Sequence, residues 1–306
     1  MNDICCIGHI TRDKIITPHH EAFISGGTAF YFSYAIARLP HKVTYQLVTK
    51  LGRLDVEEVK RMRAERIDVL AFTCDNSVFF ENRYEGDQNK RTQRVLSKCE
   101  PFKISEMNGI EAKVFHLGSL LNDDFSADFV RELSTRGHIS IDAQGFLREV
   151  RGQEVLPVDW EEKHKILKNT HTLKLNEHEM EVVTGLTNPR SVAQQIASWG
   201  VKDVVITLGS GGSLIYADQT FYEIPAYPPR KLVDATGCGD TYSAGYLYCR
   251  AQGLSYAESG KFAAAMCTRK LEATGPYTPE KEWFGEGTKA TQQTKIWPLK
   301  PPIGLT

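Results

Sequence analysis

Long hydrophobic runs and an excess of either charge are both missing from this sequence of 306 residues. Lys and Arg together number 37 and Asp and Glu 38, which gives a net charge of −1. A balanced charge provides no overall field for nucleic acid or an anionic membrane, so we expect neither as a partner. No apolar run approaches the roughly 20 residues that a membrane-spanning helix needs. The first residues also lack the pattern of a signal peptide, and we expect a cytoplasmic protein.

The cysteines form no pattern that is typical of a metal site. They are seven in number: Cys5, Cys6, Cys74, Cys99, Cys238, Cys249 and Cys267. No C-x-x-C spacing occurs, which argues against a zinc ribbon, and we expect reduced thiols. The adjacent Cys5 and Cys6 are predicted to face opposite sides of a strand. The nine histidines are dispersed, and we assign none of them to a metal.

Short apolar segments alternate with amphipathic segments along most of the chain. Hydrophobic spacing predicts helices at residues 29–39, 56–65, 125–134, 161–168, 189–199 and 241–252. Strands are predicted at residues 3–7, 43–48, 67–72, 114–117, 139–142, 172–175 and 204–207, with a hairpin at 212–216 and 220–224. This alternation predicts an α/β fold with a mostly parallel central sheet and helices on both faces. We assign residues 1–285 to this domain and the polar, Pro-rich residues 286–306 to a C-terminal tail.

Residues 73–95 break this alternation. A weakly alternating segment leads into a polar turn cluster at 85–89 and a returning strand at 91–96. We predict a small β-sheet lid, from about residues 9–23 and 72–96, that covers a bound substrate and excludes water. The alternatives are an edge extension of the central sheet and a homodimer contact through the exposed face of the lid.

The residues from 234 to 241, DATGCGDT, precede a predicted helix. The glycines let the backbone amides of Gly237, Cys238 and Gly239 converge at the positive end of the helix dipole, where an anion fits. Asp240 lies at the edge of this site. A carboxylate there suits a transient anion, because it accepts a hydroxyl proton while the amides hold an incoming phosphoryl group. We expect the dipole to lower the pKa of Asp240 and to leave it a weak base.

Each of these patterns also allows a purely structural interpretation. The Gly-rich segment is also what a turn with Asp in the first helical turn looks like. Asn176 and Glu179 follow a predicted strand, where they hold Mg²⁺ through water or form a capping box. The residues from 207 to 212, TLGSGG, either admit phosphates to the backbone or form only a hairpin turn. No Lys-Ser or Lys-Thr follows, so this is not a Walker A loop.

Taken together, the motifs resemble the signatures of the ribokinase-like (PfkB) carbohydrate kinase family. Residues 234–240 are similar to its second signature, Asp-Thr-x-Gly-Ala-Gly-Asp, with Cys238 where Ala is usual. Only the backbone amide is needed at that position, so the change is tolerable. Gly26 and Gly27, followed by a helix that ends in Ala-Arg-Leu, resemble the first signature.

Two further motifs extend the resemblance from residue 3 to about residue 276. Residues 176–179 resemble the family's Asn-x-x-Glu motif, and residues 207–212 resemble its nucleotide loop. The resemblance implies a ribokinase-like fold and transfer of the γ-phosphoryl group of ATP, with Mg²⁺, to a hydroxyl of a sugar or cyclic polyol. It implies a nucleotide site at Asn176, Glu179, Thr207, Gly209 and Gly212, with Glu179 holding Mg²⁺ through water. It also implies a monovalent cation such as K⁺ at the carbonyls of Asp234 and Thr236.

The acceptor site implied by the resemblance consists of Asp13, Gly26, Gly27, Tyr31 and Gln144. Tyr31 stands where many sugar kinases of the family have an Asn, which argues against ribose and fructose. The segment GGTAFYFS at 26–33, with DAQ at 142–144 and residues 94–102, looks more like the inositol kinase branch. The alternatives are a nucleoside kinase and an inactive polyol-binding sensor. Asp240 beside the anion site argues against the sensor.

Overall fold

The computed structural model describes residues 1–84 and 91–279. In chain order the strands are β1 (Asn2–Ile7), β2 (Thr11–Thr17), β3 (His20–Gly26), β4 (Tyr45–Gly52), β5 (Val69–Cys74), β6 (Val78–Tyr84), β7 (Arg91–Ser97), β8 (Ala112–Leu117), β9 (His138–Asp142), β10 (Arg148–Arg151), β11 (Glu154–Pro157), β12 (Thr172–Asn176), β13 (Asp203–Thr207), β14 (Ser213–Ala217) and β15 (Thr220–Ile224). The helices are α1 (Thr28–Ala37), α2 (Val56–Ala64), α3 (Ala127–Leu133), α4 (Lys163–Leu167), α5 (Glu177–Thr184), α6 (Pro189–Ser198), α7 (Cys238–Ala251) and α8 (Tyr256–Leu271). The predicted boundary at residue 285 and the predicted tail lie outside the described residues.

Nine strands form the central sheet, in the order β15-β14-β13-β12-β9-β8-β1-β4-β5. Neighbouring strands from β13 to β5 are parallel, and the hairpin of β14 and β15 continues the sheet in antiparallel fashion. The predicted mostly parallel sheet is confirmed. From β1 the chain proceeds to β4 and β5 on one side and to β8 on the other. Ligands of open α/β sheets bind at the carboxyl ends of strands near such a switch point.

Helices cover both faces of the central sheet, as predicted. On one face, α1, α7 and α8 share a core with Cys6, and on the other face α3, α5 and α6 share a core with Cys5. The two adjacent cysteines therefore point in opposite directions, as neighbours in a strand must. Helix α8 was not predicted. Its start carries a capping box of Ser255 and Glu258, which hydrophobic spacing does not reveal. Within the described ranges, no helix is both long and apolar enough to cross a bilayer.

Six strands form a second sheet, which we call the lid sheet, in the order β10-β11-β7-β6-β2-β3. Strands β2 and β6 are parallel, and the other neighbours are antiparallel. The predicted small sheet is confirmed, but its limits differ. Because β5 belongs to the central sheet, the excursion starts at Val78 and not at residue 72, and β3 continues to Gly26 rather than residue 23. Strands β10 and β11 were not predicted, since two short, polar strands carry little hydrophobic signal.

Cys74 and Cys99 form a disulfide, with 6.2 Å between their Cα atoms. The expectation of reduced thiols is therefore wrong for this pair. Cys74 ends β5 and Cys99 follows β7, so the chain leaves for the lid sheet and returns from it at nearly the same point. Their 25-residue separation in sequence gives no sign of this closeness. The other five cysteines are free.

Candidate active site

The candidate site is built around the start of α7. Gly237 precedes the helix with φ 76°, a left-handed conformation that glycine adopts without strain. A Cβ there would come within 2.3 Å of the Tyr31 ring, so nothing larger fits. The Cys238 amide already donates to the Ala235 carbonyl at 3.2 Å. Of the three amides expected to hold an anion, those of Gly237 and Gly239 are therefore the better placed.

Asp240 lies half-buried in the first turn of α7, where the Thr28 hydroxyl donates to its carboxylate. Loss of surrounding water and the negative charge of Asp142 raise the pKa of Asp240 to about 7, although Lys174 and Arg148 oppose the shift. The expectation of a lowered pKa is therefore wrong, because desolvation outweighs the helix dipole. A carboxylate with this pKa is well matched to accepting a hydroxyl proton near neutral pH.

A buried ion pair, which was not predicted, accompanies Asp240. Lys174 Nζ lies 2.7 Å from Asp142 Oδ2, and the two residues are Cα partners on β12 and β9. Burial alone would raise the pKa of Asp142, but Lys174 holds it below its usual value. A Cβ at Gly239 would come within 2.6 Å of Lys174 Nζ. The ammonium group therefore lies against the start of α7, where it adds positive charge to the anion site.

Asn176 and Glu179 form the capping box that was one of their two interpretations. Asn176 Oδ1 accepts hydrogen bonds from the backbone amides of His178 and Glu179, both at 2.9 Å, and Glu179 Oε2 accepts one from the backbone amide of Asn176 at 2.9 Å. Glu179 is also buried, and burial together with Asp142 raises its pKa, against the influence of Lys174. The two interpretations are compatible, because the cap engages only one oxygen of the Glu179 carboxylate. Glu179 also belongs to a charged cluster with Asp142, Lys174 and Asp240.

The glycine-rich loop after β13 lies beside this cap. Thr207, the last residue of β13, is the Cα partner of Asn176. Gly209–Gly211 form one turn of 3₁₀ helix. Gly212 has φ 88° and approaches β15 so closely that a Cβ would come within 2.1 Å of a carbonyl oxygen. The predicted nucleotide residues therefore meet at the carboxyl ends of β12 and β13, the edge at which such sheets bind ligands.

The turn between β9 and β10 brings two more candidates to the charged cluster. The backbone amide of Gln144 donates to Asp142 Oδ1 at 3.2 Å, which places Gln144 next to the buried ion pair. Arg148 opens β10, and its positive charge opposes the burial effects that raise the pKa of Asp240 and of Glu179. Because β10 belongs to the lid sheet, Arg148 joins that sheet to the anion site.

A cavity of about 1290 Å³ lies between the lid sheet and the central fold. Its walls come from β2, β3 and β6, from α1 and α2, and from residues 232–236 and 274–278. The candidate residues among its lining are Asp13, Tyr31, Asp234 and Thr236. Asp240 and Gln144 are not among them. Tyr31 makes the connection to Asp240, because its ring lines the cavity and also packs against Gly237.

Glycines at the end of β3 bring Asp13 to the start of α1. A Cβ at Gly26 would come within 2.7 Å of Asp13 Oδ2, and one at Gly27 within 2.7 Å of the His9 carbonyl oxygen. Gly27 also has φ 95°, so both its size and its backbone conformation require glycine. The Thr11 hydroxyl donates to Asp13 Oδ1 at 2.7 Å and orients the carboxylate. Asp13 is thus positioned at the edge of the cavity.

The predicted monovalent-cation site at Asp234 and Thr236 contains a lysine. The Thr236 amide donates to Asp234 Oδ1 at 2.9 Å, which fixes the turn. Lys270, on α8, donates from Nζ to the Asp234 carbonyl oxygen at 3.1 Å. An ammonium group therefore lies where the resemblance implied K⁺.

One cluster within residues 1–84 and 91–279 has the spacing of metal ligands: Cys74, Cys99 and Glu100. Its two cysteines are already bonded to each other, so it offers no thiolate pair to a metal. Glu179 lies outside that cluster. A contact with Mg²⁺ through water remains the prediction for Glu179, and it agrees with a carboxylate that is partly engaged in a cap.

Comparison with known families gives a match over most of the chain. The family described as pfkB family carbohydrate kinase matches residues 1–283. That range contains every residue of the candidate site.

Individual relatives differ in what they act on. A cytidine kinase of Thermococcus kodakarensis is 25% identical over 288 residues, which are 91% of this chain and 99% of its own. A pyrophosphate-dependent kinase of the ribokinase family, solved with a pyrophosphate analogue and myo-inositol, is 28% identical with a TM-score of 0.81 and covers 90% of this chain and 97% of its own. The Burkholderia thailandensis nucleoside kinase with inosine, at 21% identity and a TM-score of 0.72, covers 89% and 92% and shows the fold alone. The predicted ribokinase-like fold is confirmed.

Proposed function

This chain belongs to the pfkB family of carbohydrate kinases, and we propose that it transfers the γ-phosphoryl group of ATP to a hydroxyl of a cyclic polyol related to inositol. The observation that carries the proposal is the place of Asp240. It is a carboxylate with a pKa of about 7 in the first turn of a helix whose glycine-rich start suits an anion. A hydroxyl kinase needs a proton acceptor and a phosphoryl site side by side, whereas a binding protein does not.

In the proposed reaction, Asp240 takes the proton of the acceptor hydroxyl while the hydroxyl oxygen bonds to the γ-phosphorus. The bond from that phosphorus to the β,γ-bridging oxygen breaks, and ADP leaves with the bonding electrons. The Gly237 and Gly239 amides and the Lys174 ammonium group offset the charge on the transferred phosphoryl oxygens. Thr28, whose hydroxyl donates to Asp240, keeps the carboxylate directed at the acceptor.

ATP is proposed to lie along the carboxyl ends of β12 and β13. Thr207 and Gly212 flank a loop in which Gly209 is exposed, and the loop lies next to the cap formed by Asn176 and Glu179. Mg²⁺, held near Glu179 through water, would neutralise the phosphate charge. Pyrophosphate is the second candidate donor, because the pyrophosphate-dependent relative is 28% identical over 90% of this chain.

The acceptor is proposed to occupy the cavity under the lid sheet. Asp13 would accept hydrogen bonds from its hydroxyls, and the Tyr31 ring would cover an apolar face of the polyol ring. Gly26 leaves room for the Asp13 carboxylate, Gly27 allows the close approach of His9, and Gln144 is expected to approach from the side of Asp142. The relative that was solved with myo-inositol supports a cyclic polyol.

A nucleoside is the second candidate acceptor. The observation in its favour is the cytidine kinase, which matches 91% of this chain over 99% of its own length. A cavity of about 1290 Å³ also leaves room for a base beside a ribose.

A substrate panel tests the proposal. The full chain would be incubated with myo-inositol, other cyclic polyols, ribose, fructose, cytidine and other nucleosides, each with ATP and with pyrophosphate. Phosphorus NMR of the product would identify the phosphorylated hydroxyl. We expect the highest kcat/KM for a cyclic polyol with ATP. If only nucleosides are phosphorylated, the acceptor is a nucleoside and not a polyol. If only pyrophosphate supports turnover, the donor is pyrophosphate and not ATP. Binding without turnover would identify a sensor.

We also propose a homodimer that forms through the lid sheet. Its edge strand β3 exposes Phe23 and Ile24, at 52% and 44% of their surfaces, and both residues also border the proposed acceptor cavity. Light scattering of the full chain should give twice the mass of one chain, and a Phe23→Lys variant should give one chain mass. A monomeric wild type would contradict the dimer. We place the enzyme in the cytoplasm, where ATP is made and used, with neither nucleic acid nor a membrane as a partner.

A further inference from the structure

Helix α8 carries a lysine, Lys270, whose side chain is fully buried. Its Nζ donates to the carbonyl oxygens of Asp234 at 3.1 Å and of Ala273 at 3.2 Å, and it lies 3.4 Å from Asp234 Oδ2. An ammonium group has three N–H donors, and these three oxygens match them. A buried charge is tolerated when it is paired and hydrogen-bonded, and Lys270 meets both conditions.

This arrangement conflicts with the monovalent cation that the kinase family implies at Asp234. The carbonyl oxygen that such an ion would need is already bonded to a positive group. A second cation at the same oxygen would lie a few ångströms from Nζ, and two like charges repel strongly inside a protein. K⁺ therefore does not fit beside Asp234 while Lys270 is charged. An ammonium group has the charge of K⁺ and a similar size, so it suits the same oxygens.

We propose that the Lys270 ammonium group replaces the monovalent cation as a positioning group, so that phosphoryl transfer by this chain does not depend on K⁺. Asp234 begins the loop that leads through Gly237 into α7, and Ala273 follows α8. A bond to both residues ties the anion site to the end of α8. Only the turnover measurements described below depend on the proposed kinase function.

Two further contacts show that the loop depends on this end of α8. The amides of Val233 and Asp234 donate to the Leu271 carbonyl oxygen at 2.7 and 3.2 Å. The positive charge of Lys270 also reaches Cys238, where it opposes the effect of burial, which raises the thiol pKa to about 12. Lys270 therefore acts on the position and the charge of the segment that holds the phosphoryl group.

The first experiment uses the wild-type chain. Turnover and thermal unfolding would be measured in KCl, NH₄Cl and tetramethylammonium chloride at equal ionic strength, the last being too large for a carbonyl site. We expect turnover in the three salts to agree within about twofold, and we expect the Tm to be the same in all three within error. A wild type that loses activity without K⁺ would overturn the proposal. Thermal unfolding needs no acceptor, so this readout stands even if the proposed function fails.

The second experiment removes the ammonium group with Lys270→Ala, and Lys261→Ala on the exposed face of α8 is the matched control. We expect Lys270→Ala to lose roughly tenfold or more in turnover in tetramethylammonium chloride, because it leaves Asp234 without its buried partner. K⁺ or NH₄⁺ should restore part of the turnover and raise Tm, while the control shows neither effect.

Two outcomes for the variant would contradict the replacement. Unchanged turnover would mean that the ammonium group positions nothing. A loss that neither K⁺ nor NH₄⁺ relieves would mean that Lys270 only supports the fold. If Lys270→Ala does not fold in any salt, the comparison of salts on the wild type decides the question alone.

Discussion

The two sides of the candidate site are built in different ways. The proposed donor side consists of three short segments, the start of α7, the cap of α5 and the loop at 207–212, and each of them is local in sequence. The proposed acceptor side, which is the cavity under the lid sheet, is lined by segments between residues 10 and 278. If these roles are correct, the chemistry depends on short local motifs, whereas acceptor choice depends on how distant segments assemble.

Each side contains an ion pair, but on different elements. On the donor side, Lys174 and Asp142 are buried and paired at 2.7 Å on two strands of the central sheet. On the acceptor side, the carboxylate of Glu58 pairs with Arg61 at 2.6 Å and also accepts hydrogen bonds from Ser25 at 2.7 Å and Tyr34 at 3.1 Å. Contacts between the lid sheet, α1 and α2 therefore hold one wall of the cavity. A change on the donor side should therefore affect every acceptor equally, and one on the acceptor side should discriminate among them.

The largest expected effect is on the donor side. Asp240→Asn should keep the fold and nucleotide binding but lower kcat by about 10²–10⁴-fold with every acceptor, because the proton acceptor is lost. Steady-state kinetics would measure it. Asp128→Asn, at an exposed position on α3, is the control. A variant with nearly wild-type kcat would remove Asp240 from the role of base.

On the acceptor side, Asp13→Asn should raise KM for the acceptor by roughly 10- to 100-fold, because it weakens a hydrogen bond to a charged group. The change in kcat should be smaller. The size of the effect should differ between acceptors. Lys14→Gln is the control, since Lys14 follows on the same strand and pairs with Glu21 at 3.1 Å. An equal loss of kcat for all acceptors would assign Asp13 to the donor side.

Glu179→Gln separates the two roles of this residue. Gln in the same position retains the capping box, so only the charge is lost. We expect the Mg²⁺ concentration for half-maximal rate to rise about tenfold, as for an outer-shell metal partner. A magnesium titration at fixed ATP would show it, with the Tm as the measure of the cap. An unchanged titration would leave Glu179 with its capping role alone.

The pH profile tests the buried cluster. Asp240 must be unprotonated to accept a proton, so kcat/KM should fall about tenfold per pH unit once the pH drops below its pKa. Burial is the largest cause of the raised pKa of Asp240, and the negative charge of Asp142 is the second. Asp142→Asn removes that charge, so the acidic limb of the pH profile should move to lower pH. Asp123→Asn, outside the cluster, should leave it in place. A limb that stays fixed in Asp142→Asn would exclude coupling between the two carboxylates.

The smallest effect concerns the lid sheet. Hydrogen exchange at β6 and β7 should slow when the acceptor and a non-hydrolysable ATP analogue bind together, because the sheet would close over the cavity. Strand β8 of the central sheet serves as the internal reference. Equal exchange with and without ligands would make the lid sheet a static wall, and acceptor choice would then rest on its fixed shape.

The donor side could largely be predicted from sequence because its signals are local. The motif at 237–240 and the cap at 176–179 each fit within one helical turn, and the structure places them at the starts of α7 and α5. The pKa of Asp240 could not be predicted, since it depends on desolvation and on Asp142, which the assembled fold brings close. Lys174 was missed because it appears as one polar residue in an apolar strand, and its partner is 32 residues away.

The lid sheet and the surroundings of Asp234 were predicted less completely. Broken alternation revealed the central strands of the lid sheet, but β10 and β11 are too short and too polar to stand out. Lys270 carried no signal either, because a lysine near the end of a helix is usually exposed, and only the packing of α8 against the loop at Asp234 buries it. The pairing of these short strands and the burial of Lys270 depend on contacts between distant segments, which local sequence patterns do not show.

The disulfide between Cys74 and Cys99 has a topological consequence for the lid excursion. Strands β6 and β7 lie within a covalently closed ring, and the ring is connected to the rest of the chain only at the two bonded cysteines. A protease that cuts once inside the ring would open a loop without releasing either piece. The nicked protein would migrate as one species until a reductant separated its halves, and β6 and β7 would enter or leave the fold together.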